Sequence, residues 1–477
     1  MSAAFIRNNY TEGSEHPQHQ EMKHRIVATG LLVLASLFNI KAQTGITSPG
    51  FGLVDNQVEQ FMETWRIPGA SVAITKDGKL IYSRGFGFSD LHHSQAAQPN
   101  TLYRIASVSK SITSIAVMKL VQEGKLSLSD TVFGEGRILD QPYYLGVVSD
   151  QRIYNVTVQE LLEHTSGWDR TVPCDGYPHS DPAFFPTHVT SVLGEANPVG
   201  DSTLIKFSLM KGLHHTPGTT YSYSNVGYLV LGKVIEKISG MSYDTYVKST
   251  ILDPLGLHDI LPGRNLASQK YEREAEYASG APIESCYGDG TMVPAPYGGF
   301  NLEAMNAHGG WIASAPDLTR LMLAADGENT VPDILDPSIV SLMNTPGDVN
   351  RGYAKGWSVN GRNSWHTGSL SGTASFICRT GSGYTWAFLF NSRADNSSAF
   401  WKAFDALPWA CISSLPALAG IDLYSPLLNM SDLPMNELNP ASVSLSTDAG
   451  DNGGVSVAAY HTEAYIREPE KNGNAIE

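Results

Sequence analysis

Strand signals cluster near the two ends of the chain, and helix and loop signals fill the long middle. Residues 70–90, "ASVAITKDGKLIYSRGFGFSD", alternate as a β-hairpin that turns at Asp77-Gly78. Some 280 residues later, "SGTASFICRT" and "YTWAFLFNSR" read as two strands joined across Gly381 to Gly383. A hairpin alone is marginal in water. The two ends are therefore expected to meet in one antiparallel sheet, with a mostly helical region inserted between them and helices flanking it, an α/β arrangement.

Helix signals support that division. Residues 53–69, "LVDNQVEQFMETWRIPG", form an amphipathic pattern stopped by Pro68-Gly69. "NVTVQELLEHTSGW" predicts a short helix ended by Gly167. "NVGYLVLGKVIEKISG" places Leu231, Val234, Ile235 and Ile238 on one face and closes at Gly240. In "GGWIASAPDLTRLMLAADG", Ser314 and Asp317 have capping-box spacing, with Pro316 in the first turn. No internal repeat is visible.

The 477 residues can hold one large domain or two to three ordinary ones. Charged residues make up 17% and apolar ones 42%, the balance of a globular protein with a large core. Net charge is −15 with no run of Lys/Arg, which argues against nucleic-acid binding. "MKHRIVATGLLVLASLFNIKAQ" has the basic start, apolar run and small-residue site of an export signal. The expected start is Met22 and the expected mature residue Gln43, within an N-terminal extension spanning 1–42. The apolar run is shorter than the ~20 residues a membrane span requires, so no stable span is expected after cleavage. The expected domain covers 43–426, and the polar Gly/Asn/Ser-rich stretch 427–477 reads as a poorly ordered tail. Cys174, Cys286, Cys378 and Cys411 show no zinc spacing. Two disulfides and free thiols both remain open.

The chemistry starts at "IASVSKSITSIAVMKLVQEGKL". Ser107 and Lys110 are nearly one helical turn apart at the mouth of an apolar helix. A hydroxyl there has backbone N–H groups and the positive helix end beside it, and an amine to take its proton. Burial would lower the lysine's pKa and make it a usable base. The pattern also fits an N-cap serine and a snorkelling lysine. A second Ser-x-x-Lys, Ser208 to Lys211, sits inside an amphipathic helix instead. Tyr223-Ser224-Asn225 lies on a loop before a helix, where a phenol can share proton transfer and an amide can bind a substrate carbonyl. His366-Thr367-Gly368 opens a strand, where Gly368 would let a ligand approach and His366 supplies a donor or a cation.

In this order, Ser-x-x-Lys, Tyr-x-Asn and His-Thr-Gly resemble the serine β-lactamase and penicillin-binding superfamily, and more narrowly its class C β-lactamase-related group. "LYRIASVSKSIT", "PGTTYSYSNVGYLVLGKVIEKISGMSYDTYV" and "HGGWIASAPDL" are similar to the same framework, over residues 56–392. The resemblance implies a β-lactamase-like fold and a serine hydrolase of β-lactamase, DD-peptidase or D-aminopeptidase type, with an amide or ester substrate. Ser107 would be the acylated nucleophile, and Lys110 and Tyr223 the proton-transfer pair. Asn225 would bind the acyl side chain's amide, and His366 and Thr367 would face the substrate's carboxylate or leaving group. The backbone N–H groups of Ser107 and Ser369 would form the oxyanion hole. The β-lactamases carry lysine where this chain has His366, so acyl-enzyme formation is implied more firmly than β-lactam turnover.

Two other readings stay open: a carboxylesterase, and a binding protein that keeps the fold without turnover. No cofactor or metal is called for. His214-His215 lacks a further ligand at metal spacing, and neither a P-loop, a dinucleotide fingerprint nor a Gly-x-Ser-x-Gly elbow is present. His164 reads as a helix-end histidine, and His308-Gly309-Gly310-Trp311 as tight packing. Trp168 and Trp311 are expected in the core.

Overall fold

A computed structural model describes residues 42–47, 50–328, 330–394, 397–416 and 421–424, with the backbone of 443–445 and 457–459. The export segment and most of the expected tail lie outside the described residues. Within the tail, Val443–Leu445 and Val457–Ala459 pair antiparallel. Among the described residues, no helix is long and apolar enough to cross a membrane.

Seven strands form one antiparallel sheet. Three come from the N-terminal end: β1 (Gln43–Gly45), β2 (Gly69–Lys76) and β3 (Lys79–Gly87). Four come from the far end: β4 (Ser358–Val359), β5 (Ser364–Leu370), β6 (Thr373–Arg379) and β7 (Tyr384–Phe390). Their order is β1-β3-β2-β7-β6-β5-β4. The seam between the two ends is β2 against β7, with Ala73 opposite Ala387. The hairpin turns where expected. Asp77 and Gly78 both have positive φ, 48° and 80°, as a two-residue turn matching strand twist demands.

The alternation along the strands feeds two apolar clusters. Val72, Ile74, Trp386 and Phe388 face helices α1 (Gly52–Trp65) and, near the C-terminus, Ser398–Ser414. Ala73, Ala387, Leu389 and Ile377 face the inserted region. At the centre of that region lies α2 (Ser109–Gln122), buried on nearly every side. Its interior hydroxyls are all bonded outward. Ser111 donates to the Gly356 carbonyl (3.0 Å), Thr113 to the Ala307 carbonyl (2.6 Å) and Ser114 to the Lys355 carbonyl. Beside it runs α3 (Asn225–Ser239), capped by Ser224 and closed by left-handed Gly240 as the sequence indicated.

Some boundaries differ from expectation. α1 ends before Pro68 because Arg66 turns left-handed and its N–H bonds back to the Glu63 carbonyl (3.3 Å). The short helix expected to run toward Gly167 covers only Val158–Leu162, because His164 takes a positive φ of 57°. All four cysteines are free thiols, which settles the choice left open above. Trp168 and Trp311 are buried, as expected.

Candidate active site

Ser107 sits in a single turn, Ala106–Val108, immediately ahead of α2. Ala106 has a φ of 48°, a strained value for a residue with a side chain, costing on the order of 1–3 kcal/mol. The sheet holds the turn in place. Thr373 and Ser375 of β6 donate to the Arg104 and Ile105 carbonyls (both 2.7 Å), and the Ile105 N–H donates to Trp311 (3.0 Å). The close approach expected at Gly368 is made by this turn rather than by a ligand. A Cβ there would lie 2.1 Å from the Ile105 carbonyl oxygen.

Lys110 is fully buried in the first turn of α2. Its Nζ donates to Ser107 Oγ at 3.3 Å and to the His308 carbonyl at 2.7 Å. Burial, reinforced by the charge of Arg170, pushes its pKa well below the usual lysine value. Tyr223 lies on the other side, with Lys110 Nζ 4.9 Å from its ring centre. Burial raises the phenol's pKa despite the nearby Ser107 hydroxyl and Arg170 charge, so it stays protonated. An amine pushed toward neutrality and a phenol held neutral thus flank one hydroxyl.

Asn225 begins α3 and is buried. Its Nδ2 donates to buried Asp181 at 2.6 Å, which leaves Oδ1 as a buried acceptor without a partner. The amide expected to donate to a substrate carbonyl therefore has that donor occupied.

His366 also departs from its expected part as a pH-dependent cation facing the substrate. The Ser224 N–H donates to His164 Nδ1 (3.1 Å), so His164 carries its proton on Nε2 and donates to Tyr353 Oη (3.2 Å). Tyr353 can then donate to His366 Nε2 (3.3 Å), while His366 Nδ1–H donates to the Thr367 carbonyl (2.7 Å). Both ring nitrogens are taken. Burial and the nearby Lys110 push the imidazole down to about 3, so it is neutral at physiological pH. Thr367 and Ser369 point to the opposite, exposed side of β5 from His366 and Gly368. β4 covers only Ser364 and Trp365, so among the described residues no strand pairs with the outer edge of β5 beyond them.

The chain is similar to known proteins. A family model described as Beta-lactamase covers residues 54–406. The chain belongs to the β-lactamase family. Protein flp of Staphylococcus aureus (strain MRSA252) is 30% identical over 329 residues, 68% of this chain and 59% of that protein. The chain thus spans about 59% of the length of that relative. The octameric penicillin-binding protein homologue from Pyrococcus abyssi is 27% identical, with a TM-score of 0.55 over 76% of this chain and 79% of its own. The D-amino acid amidase from Ochrobactrum anthropi SV3 shares the fold at 22% identity, with a TM-score of 0.55 over 76% of this chain and 98% of its own.

This β-lactamase-family site contains residues that the sequence reading did not select. Arg170 is exposed, and its guanidinium lies 4.7 Å over the Tyr223 ring. Asp169 ties the Arg170 loop to the Tyr223 loop through His215 (3.1 Å) and Ser222 (3.2 Å), which gives His215 a structural task. Asp181, Tyr353 and the His308 carbonyl belong to the site as well, and nothing in their local sequence marks them. His164 had a signal, a histidine before Thr-Ser-Gly, but its hydrogen bonds rather than a helix end explain it. The second Ser-x-x-Lys has its two side chains engaged elsewhere. Ser208 donates to Leu204 (3.0 Å), and Lys211 pairs with Asp175 (2.7 Å). Among the described residues, no group of three or more His, Cys, Asp or Glu could hold a metal ion.

Proposed function

We propose that the protein hydrolyses an amide or ester through an acyl-enzyme on Ser107. The observation that carries this reading is the fully buried Lys110 amine, 3.3 Å from Ser107 Oγ and depressed in pKa. In the neutral form, Lys110 accepts the Ser107 proton as Oγ attacks the substrate carbonyl. The proton then passes through the Tyr223 phenol to the departing nitrogen or oxygen, and the bond to the leaving group breaks. The Ser107 and Ser369 N–H groups are the proposed donors to the oxyanion. Water adds to the acyl carbon with Lys110 again taking a proton, the bond from that carbon to Ser107 Oγ breaks, and Lys110 returns the proton to Oγ.

Membership of a family that covers 353 of 477 residues supports the reaction class. The test is steady-state hydrolysis of p-nitrophenyl acetate, amino-acyl p-nitroanilides and a chromogenic β-lactam by the wild type and Ser107→Ala. Turnover of any of these that Ser107→Ala abolishes supports the reading. Turnover that survives in Ser107→Ala overturns it. Hydrolysis of short esters alone would narrow the reading to a carboxylesterase.

We also propose export directed by residues 22–42. Gln43, the first residue after the expected cleavage, already pairs with Phe86 in the sheet. N-terminal sequencing of the secreted protein should begin at Gln43, whereas full-length protein retained inside the cell would contradict export.

A further inference from the structure

Tyr223 sits on a loop, so groups outside that loop must hold its phenol beside Ser107. His164 grips the loop on both flanks of Tyr223. The Ser222 N–H donates to the His164 carbonyl (2.9 Å), and the Ser224 N–H donates to His164 Nδ1 (3.1 Å). Between these two bonds the imidazole packs on the phenol, with ring centres 4.3 Å apart and planes tilted by 40°. One residue thus fixes the backbone before Tyr223, the backbone after it and the lie of its ring.

His164 is itself anchored from the far side. Its φ of 57° is left-handed, a conformation uncommon for residues with a side chain, though histidine and asparagine are enriched there. The preceding residue, Glu163, forms a buried ion pair with Lys355 (2.7 Å), and Lys355 Nζ also donates to the Thr345 carbonyl (2.9 Å). Two residues before Lys355, Tyr353 Oη accepts the His164 Nε2–H (3.2 Å). Adjacent residues on one segment are therefore pinned by near neighbours on another. The second segment is tied in turn to α2, through Ser111 to the Gly356 carbonyl (3.0 Å) and Ser114 to the Lys355 carbonyl. The contacts run unbroken from the helix that carries Lys110 to the loop that carries Tyr223.

The grip works with one tautomer. Nδ1 must accept from Ser224, so the proton sits on Nε2 and Tyr353 receives it. A doubly protonated ring would lose the Ser224 bond. Burial, with the Lys110 charge next, holds the imidazole well below the ordinary histidine pKa. Both ring nitrogens are engaged, so neither is left to exchange a proton with a substrate.

We propose that His164 is a positioning residue for acylation, which holds the Tyr223 phenol at Ser107, and that Tyr353 sets the tautomer His164 needs for this. The proposal rests on the acyl-enzyme reading, because the only task it assigns is to place a proton-transfer group at Ser107.

The test is the second-order rate at which a fluorophosphonate labels Ser107, followed by intact-protein mass and corrected for the folded fraction. His164→Gly, which accepts a left-handed φ, should lower the rate by about 10- to 100-fold, the cost of misplacing a reacting group by about an ångström. His164→Asn, whose side-chain oxygen can accept from Ser224 in place of Nδ1, should recover most of that loss. In a Tyr223→Phe background no phenol remains to be positioned, and His164→Gly should change the rate by less than about threefold. A purely structural histidine would lower the rate by the same factor in both backgrounds, and that result would overturn this inference alone. An unchanged rate in His164→Gly would do the same. If Tyr223→Phe labels too slowly to measure, equal rates in His164→Gly and His164→Asn overturn it. If His164→Gly does not fold, Tyr353→Phe takes its place, because it removes a single hydroxyl. Its loss should be about 3- to 10-fold with Tyr223 present and less than about twofold without it, and equal losses would overturn the inference. No Ser107 adduct on the wild type would overturn the acyl-enzyme reading and this inference with it.

Discussion

The two faces of the seven-stranded sheet use burial for opposite purposes. The face against α1 and the C-terminal helix is an aromatic cluster. Phe61 stacks 5.3 Å from Phe390 and packs 5.7 Å from Phe404, while Trp386 meets Trp409 edge-on at 4.9 Å. There the favourable term is removal of apolar surface from water, about 25 cal/mol per Å². The opposite face buries Lys110, His164, His308 and His366 around Ser107. All four groups are held below their ordinary pKa values, with burial the largest cause for each. Both faces bury apolar side chains, but only the second also holds basic groups neutral and a strained turn in place. The contrast shows that equal burial need not mean equal function; what matters is whether the buried groups are satisfied by their neighbours or kept in a form that chemistry can use.

The contrast can be broken at its widest point first. Ser107→Ala should lower kcat/KM by roughly 10,000-fold or more on any accepted substrate, with a melting temperature close to wild type. A fall confined to stability would place Ser107 with the structural residues. Trp386→Ala, on the aromatic face, should do the reverse. It should cost about 3–5 kcal/mol in denaturant unfolding and leave kcat/KM of the folded fraction unchanged. Loss of catalysis in that variant would erase the division between the faces.

Acid sharpens the comparison. An unfolded histidine takes a proton below about 6.5, while folded His366 refuses one until about 3. Its contribution is therefore fully present above pH 6.5 and is lost as pH falls toward 3, at about 1.4 kcal/mol per pH unit. Denaturant unfolding between pH 7 and pH 5 should show this slope, and His366→Asn should reduce it. A stability that does not change over that range would remove the claim that His366 is buried neutral.

The smallest effect expected is that of Arg170→Ala. Removing a cation lets Lys110 hold its proton more easily, so the Lys110 pKa rises. The acidic limb of the kcat/KM profile should then move to higher pH, by a small amount because Arg170 is exposed and solvent screens its charge. An unmoved limb would remove Arg170 from the electrostatics of the site.

The sheet was legible in the sequence because alternation has a local cause. Val72 and Ile74 face one way and Ala73 the other whatever they touch, and a two-residue Asp-Gly turn sets Lys76 opposite Lys79, whereas the bulge that shifts the register between Ile74 and Thr75 has no local signal. Ser107, Lys110 and Tyr223 could be selected because their patterns are short and sit next to a helix start. The rest was hidden because it depends on distant neighbours. Asp181 decides which way the Asn225 amide faces from 44 residues away, and His164 reaches Tyr353 across 189. The part assigned to His366 changed for the same reason. A histidine opening a strand reads as a donor or a cation, and only its two hydrogen-bond partners show that it is neither toward a ligand. Gly368 was singled out correctly as a point of close approach, but only the fold shows that the Ile105 carbonyl is what approaches.

The central claim is that burial beside Lys110 makes Ser107, and not the equally spaced Ser208, the nucleophile. Intact-protein mass after reaction with a fluorophosphonate tests it most directly, with Ser107→Ala and Ser208→Ala run alongside. The account predicts one adduct on the wild type and on Ser208→Ala, and none on Ser107→Ala. An adduct that persists in Ser107→Ala, or no adduct on the wild type, would contradict it.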